Sequence, residues 1–129
     1  MERIIIHCSA TPAGRDVKTE TIRQWHLDRG WRDIGYHIVI ELDGSLHLGR
    51  AFTEIGAHTY GYNAGSVGIC YVGGTDTDGQ ACDTRTDAQR VALRAVVATL
   101  KGVYPEATVH GHNEFSSKAC PSFDVQTEL

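Results

Sequence analysis

The chain has no apolar run near the roughly twenty residues that a membrane-spanning helix needs. Its opening, Met1-Glu-Arg-Ile-Ile-Ile6, enters a strand pattern directly and carries no h-region of signal-peptide length. A product that stays in the cytoplasm until something else releases it is therefore expected. Basic residues are few: 12 Lys and Arg stand against 16 Asp and Glu, for a net charge of −4. With no basic stripe, a nucleic-acid partner is not expected. The 4 cysteines, Cys8, Cys70, Cys82 and Cys120, are scattered without the spacing of a small disulfide scaffold. In a chain without an export signal they are expected to be reduced. His-Glu-x-x-His is absent, which argues against that class of zinc peptidase. The run Asp76-Thr-Asp-Gly79 lacks the closing Glu of a calcium loop, which excludes an EF-hand. The 129 residues suffice for one domain with a sizeable core, and residues 1–129 are read as a single unit.

What is present alternates between strand and helix patterns. Glu2–His7 reads as a buried strand, because β-branched residues follow one another without a polar break. Ser9–Gly14 reads as a loop. Thr19–Arg29 reads as a helix capped by Thr19 or Thr21 and ended by Gly30, with Ile22, Trp25 and His26 on one face. Tyr36–Glu41 and Ser45–Leu48 flank Asp43-Gly44 as a hairpin, with His47 on its surface. Arg50–Gly65 is loop, rich in glycine and polar aromatics. Ser66–Gly73 is a second apolar strand, with Cys70 in the core. A long helix is expected over Asp87–Lys101, opened by Thr84 or Thr86, closed by Gly102, and turning Val91, Leu93, Ala95, Val96 and Leu100 to the sheet. A short strand over Ala107–Gly111 then delivers the richest stretch of the chain.

That stretch is His110-Gly-His-Asn-Glu-Phe-Ser-Ser-Lys-Ala-Cys-Pro-Ser-Phe-Asp124. Imidazole and thiolate are the donors that a borderline-soft cation such as zinc prefers. Either His110 or His112 can join Cys120, and a third donor must come from elsewhere. His7, where the first strand leaves the sheet, is the candidate. Taken alone, His7 reads as a packed strand-end histidine. Cys8 beside it points to the opposite face and is assigned to the core. Two His and one Cys leave a fourth tetrahedral position open, as catalytic zinc sites do. Lys118, two residues before Cys120, reads by default as a surface lysine. Beside a metal ligand its ammonium can stabilise the oxyanion formed when an amide is attacked. Asp124 either holds the terminal turn or backs a ligand histidine.

Taken in order, His7-Cys-Ser-Ala-Thr11, Gly35-Tyr-His37, Gly61-Tyr-Asn63 and Lys118-Ala-Cys-Pro-Ser-Phe-Asp124 resemble the zinc-dependent N-acetylmuramoyl-L-alanine amidases of type 2. The likeness is greatest to the short phage lysozymes that are amidases. The same superfamily holds the animal peptidoglycan recognition proteins. The resemblance implies an α/β domain, a mixed central β-sheet flanked by helices, with one zinc ion in a cleft at a sheet edge. It favours His112 over His110, so the implied ligands are His7, His112 and Cys120. Tyr36 and Lys118 are the implied catalytic residues, with Glu114 the first substitute should Tyr36 lie far from the metal. His58 and Asn63 are assigned to substrate binding, together with His37 as a supporting residue of the groove, and His110 is placed in or behind that groove.

The implied reaction is hydrolysis of the amide between N-acetylmuramic acid and L-alanine in peptidoglycan, by a monomeric phage endolysin that waits in the host cytoplasm before reaching the wall. A non-lytic peptidoglycan-binding module is the first alternative, but members that do not cut lack the ligand cysteine. A cytosolic muropeptide-recycling amidase is the second. Some family members also bind their phage's RNA polymerase, a role associated with an extension before the first strand. Here the strand begins at residue 2, and that role is not expected.

Overall fold

Ile4, Ile5 and Ile6 are all fully buried, which is why the first strand is a continuous β-branched run. A strand inside a parallel sheet is covered on both faces and has no solvent side for polar residues. The computed structural model describes residues 1–129, and in it this strand, β1 (Arg3–Cys8), lies between two parallel neighbours. The remaining elements are β2 (Thr11–Pro12), α1 (Thr19–Asp28), β3 (Ile38–Ile40), β4 (Leu46–Leu48), β5 (Ser66–Tyr71), β6 (Gly74–Thr75), α2 (Asp87–Val103), β7 (Thr108–Gly111) and α3 (Val125–Glu128). The main sheet runs β4-β3-β5-β1-β7. Only β4 is antiparallel within it. This is the mixed central sheet that the resemblance implies.

Alternation along the strands sends side chains to two cores. On one face Ile4, Ile6 and Cys8 pack with Ile38, Ile40, Val67, Ile69 and Tyr71 against Leu93, Val96 and Leu100 of α2. On the other face Val39 and Cys70 meet Ile22 of α1, with Trp25 packed beside them. Each buried Leu or Ile contributes roughly 1.5–3 kcal/mol relative to exposure. His7 belongs to the α1 face, where the sheet ends and the hydrophobic cluster gives way to polar side chains.

Several local expectations are corrected. Lys18, not a threonine, sits at the N-cap of α1 and makes no side-chain cap. The Thr19 amide and hydroxyl both donate to the buried Glu41 carboxylate, at 2.8 and 2.7 Å. A carboxylate from beyond β3 thus satisfies this helix start, which no local pattern reveals. Of the two threonines proposed for α2, Thr86 is the cap, in a reciprocal capping box with Gln89. Gly102 does not close α2, which runs on to Val103. Val91 is 71% exposed, and the buried position in that turn is Gln89. Gln89 is fully buried because its amide donates to the Ile40 and Val72 carbonyls. The Ser9–Gly14 loop contains β2, which pairs with β6. His47, expected on the hairpin surface, is half-buried, with its Nε2 2.8 Å from the Ser45 hydroxyl and 3.4 Å from Glu41.

Register then places the functional ends. Ile6 of β1 pairs with Gly111 of β7, so the next residues, His7 and His112, leave adjacent parallel strands side by side. Carboxyl ends of strands in open α/β sheets are where ligand sites gather. The segment carrying Cys120 is tied back over this edge. The Tyr71 hydroxyl donates to the Pro121 carbonyl at 2.7 Å, and the Ser122 hydroxyl donates to the Gly74 carbonyl at 2.7 Å. The buried Arg85 guanidinium lies 3.6 Å from the Phe123 ring centre. Asp124 caps α3 by accepting from the Gln126 amide, which decides its role in favour of the terminal turn.

Candidate active site

Three donors converge at this edge. One donor atom each from His7, His112 and Cys120 lie within 4.8 Å of one another. The His7 and His112 ring centres are 4.6 Å apart, and Cys120 Sγ is 3.8 Å from His7 Nδ1. His112 is thereby separated from His110. The His110 ring is engaged by Glu114 at 2.8 Å and Thr108 at 2.7 Å, and it takes no part in the cleft. Glu114 is consumed by His110, Gln126 and the Gly111 amide, so it is not a substitute base.

The chemistry of the three donors fits a cation. Burial, with His58 and His112 nearby, holds the His7 imidazole well below its usual range. Burial and then the Lys118 ammonium lower His112. Both rings are therefore neutral, with lone pairs to offer. Contact with the Cys8 thiol and burial push the Cys120 thiol up. A metal ion reverses that bias, because a coordinating thiol loses its proton outright. Two neutral imidazoles and a thiol that can give up its proton make a donor set that one zinc would satisfy.

The donors line a cleft of about 530 Å³. Its walls carry Lys118, Tyr36, Asn63 and His58, as expected, and also His26, Arg29, Trp31, Thr59 and Tyr60. Tyr60 belongs to the loop of polar aromatics noted in the sequence, whereas His26, Arg29, Trp31 and Thr59 were not expected there. His26, Arg29 and Trp31 come from the end of α1 and its exit loop, and the only signal was the cluster of aromatic and basic residues around Gly30. No Asp or Glu lines the cleft, although acidic residues outnumber basic ones in the chain. The Tyr36 ring centre is 5.2 Å from that of His7. Burial, reinforced by the neighbouring thiols, raises its phenol well above the ordinary value, so Tyr36 is a neutral donor at pH 7.

His37 does not touch the cleft, and its assignment to substrate contact is corrected. It is fully buried. Its Nδ1 accepts from the Gly68 amide at 3.0 Å, and its Nε2 donates to the Glu54 carbonyl at 2.8 Å. It supports the floor under His58, with ring centres 5.8 Å apart. Asn63 reaches the cleft, but its Oδ1 accepts from the His58 and Thr59 amides at 2.9 and 2.8 Å. Tyr60 is 97% exposed, which leaves its ring free at the cleft mouth.

Buried neutral histidines make stability depend on pH. His26 is 6% exposed and accepts from the Gly35 amide through Nδ1 at 2.8 Å. Burial, then Arg29 and Arg50, lower its pKa from 6.5 to about 4. As pH falls below 6.5 the unfolded chain takes up a proton that the folded chain refuses until about pH 4. The stability present above pH 6.5 is lost through that window, by roughly 3 kcal/mol from this residue alone. Urea denaturation at pH 7.5 and 4.5, with chelator present in both, measures the loss. A His26→Gln variant with an equally steep decline would count against His26 as the source.

Known proteins resemble this chain over most of its length. The profile of the family described as N-acetylmuramoyl-L-alanine amidase matches residues 1–123. The chain is 46% identical over 124 residues to an endolysin of Enterobacteria phage K11, covering 96% of this chain and 82% of the phage protein. Among solved structures, an N-acetylmuramoyl-L-alanine amidase endolysin from Clostridium intestinale superposes with a TM-score of 0.82 at 27% identity, over 95% of this chain and 76% of that one. A bumblebee peptidoglycan recognition protein, PGRP-SA, superposes at 0.79 with 29% identity, over 99% of this chain and 79% of that one.

Proposed function

We propose, from the premise that this chain belongs to the N-acetylmuramoyl-L-alanine amidase family, that His7, His112 and Cys120 hold one zinc ion and that Tyr36 and Lys118 act on the substrate amide beside it. The chain is a peptidoglycan amidase, which hydrolyses the bond between N-acetylmuramic acid and L-alanine. The observation that carries the site assignment is the convergence of the three donor atoms within 4.8 Å. When bound, zinc supplies a water of lowered pKa and polarises the scissile carbonyl.

The rest falls to the chain's own groups. Lys118 is exposed at the cleft wall and brings a fixed positive charge beside the ligands. Its ammonium stabilises the negative charge that develops on the carbonyl oxygen. Tyr36 orients the attacking water or passes a proton to the leaving amine. No carboxylate lines the cleft, and the phenol, kept neutral by burial, has its ring centre 5.2 Å from that of His7. The exposed ring of Tyr60 and the indole of Trp31 offer flat faces to sugar and stem peptide. Such amphipathic aromatics suit a ligand that is apolar on one face and polar at its edges. No helix of the chain is long and apolar enough to cross a membrane. The likeness to a phage endolysin supports a role in host-wall lysis, with a monomer as the acting species.

Digestion of purified peptidoglycan, with and without chelator, tests this reading by mass spectrometry. Free stem peptides beginning at L-alanine, lost on chelation and restored by zinc, are expected. New reducing sugars without free peptides would overturn it. Lys118→Ala is expected to lower kcat about a hundredfold, as loss of one oxyanion donor does, with zinc content unchanged. A drop in zinc content matching the loss of activity would instead make Lys118 a support of the metal.

A further inference from the structure

The His58 side chain occupies a seat that the backbone was stripped to provide. A Cβ on Gly68, in the middle of β5, would stand 2.6 Å from His58 Cγ and Cδ2, and a Cβ on Gly56 would stand 2.6 Å from Cδ2. Neither glycine has a positive φ, so both are there for space and not for backbone freedom. Glycine inside a strand marks a close approach of this kind. The ring placed there turns Nδ1 to His7 Nε2 at 2.9 Å. Thr59 Oγ1 completes the triangle, 2.9 Å from His58 Nδ1 and 3.2 Å from His7 Nε2. The other nitrogen, Nε2, is buried with no partner. A histidine that leaves one nitrogen unsatisfied is held in place for the sake of the other.

We propose that His58 is a positioning residue for the metal site: it accepts the Nε2–H of His7, fixes the tautomer that leaves the His7 Nδ1 lone pair facing Cys120, and holds the ring at that angle. This rests on the zinc reading above and deepens it. Metal-binding histidines usually give their second N–H to a carboxylate or a carbonyl. No carboxylate lines this cleft, and a neutral imidazole takes that place. His58 is not itself a ligand, because Nδ1 is spent on His7 and Thr59 and Nε2 is sealed from solvent. The same two facts remove it from direct polar contact with substrate, which was its expected role. Asn63, by holding the His58 and Thr59 amides, sets the turn that aims the ring.

The test reads zinc affinity and tautomer, not turnover alone. Zinc dissociation constants are measured by competition with a chromophoric chelator for wild type, His58→Leu and His58→Asn. Leu fills the seat without an acceptor, and Asn returns an oxygen near the position of Nδ1. His58→Leu is expected to weaken zinc binding about ten- to a hundredfold, the usual effect of losing such a partner, and His58→Asn to recover most of it. In the wild type, nitrogen–proton correlation spectra of ¹⁵N-histidine-labelled zinc protein should show His7 as the Nε2–H tautomer, a result that requires no variant to fold. His7 found as Nδ1–H overturns the proposal. So does unchanged affinity in His58→Leu, or a raised KM at full zinc occupancy, which would return His58 to substrate contact. A wild type that binds no zinc sinks the metal reading itself, whereas tight wild-type binding with an indifferent His58→Leu sinks only the role given to His58.

Discussion

Cys120→Ala is expected to abolish zinc retention and to lower amidase turnover roughly ten thousandfold, since a lost metal forfeits several kcal/mol of transition-state stabilisation and each 1.4 kcal/mol is a factor of ten. The thiol is one of only three donors at the site. It sits 3.8 Å from His7 Nδ1 and accepts from the Cys8 amide at 3.2 Å. That amide prepares the position for negative charge on sulfur, which a cation is needed to sustain in a buried place. The fold should survive the change, because the flanking segment is held independently by Tyr71, Ser122 and Arg85. Elemental analysis after dialysis, circular dichroism and a peptidoglycan turbidity assay together check this. A Cys120→Ala protein that keeps its metal and its turnover would remove the thiolate from the site. Wild type should also gain thermal stability with added zinc, because a ligand that binds only the folded state stabilises it by mass action. Cys120→Ala should lose that gain.

Tyr36→Phe is expected to lower kcat about a thousandfold, within the range of a lost general acid–base group, while zinc content and KM stay near wild type. The substitution deletes one hydroxyl from a ring that remains packed against His7 and His26. The phenol is kept neutral by burial, so what is lost is a proton donor and not a charge. The absence of any carboxylate in the cleft is what makes the expected effect large, since no neighbouring acid can replace the phenol. Unchanged turnover in Tyr36→Phe would take the tyrosine out of the mechanism. A raised KM with unchanged kcat would make it a binding residue.

Much of the fold was legible because burial leaves a local mark. β1 and β5 are apolar runs bounded by loop residues, as strands covered on both faces must be. A threonine opening α2 was legible, as Thr84 or Thr86, because helix capping is a short-range device; the structure chose Thr86. The failures share a cause. The start of α1 is satisfied by Glu41, twenty-two residues away. Gln89 is buried because the carbonyls of Ile40 in β3 and of Val72 just after β5 await its amide. His37 was grouped with the substrate-binding residues as a support, but both its nitrogens are spent on backbone from other segments.

By itself the sequence determined which chemistry was present: a histidine ending a buried strand, a second histidine and a cysteine near the C-terminus, and a lysine beside them. Residue type sets donor character, and donor character is local. Only the tertiary structure decided which donors meet. Pairing of Ile6 with Gly111 puts His7 beside His112 and leaves His110 with Glu114, a choice made by strand register and not by any property of the two histidines. Only the tertiary structure, too, seated His58 over two bare glycines and turned its nitrogen to His7. The space a side chain occupies is made by segments distant in the chain, and no local pattern records it.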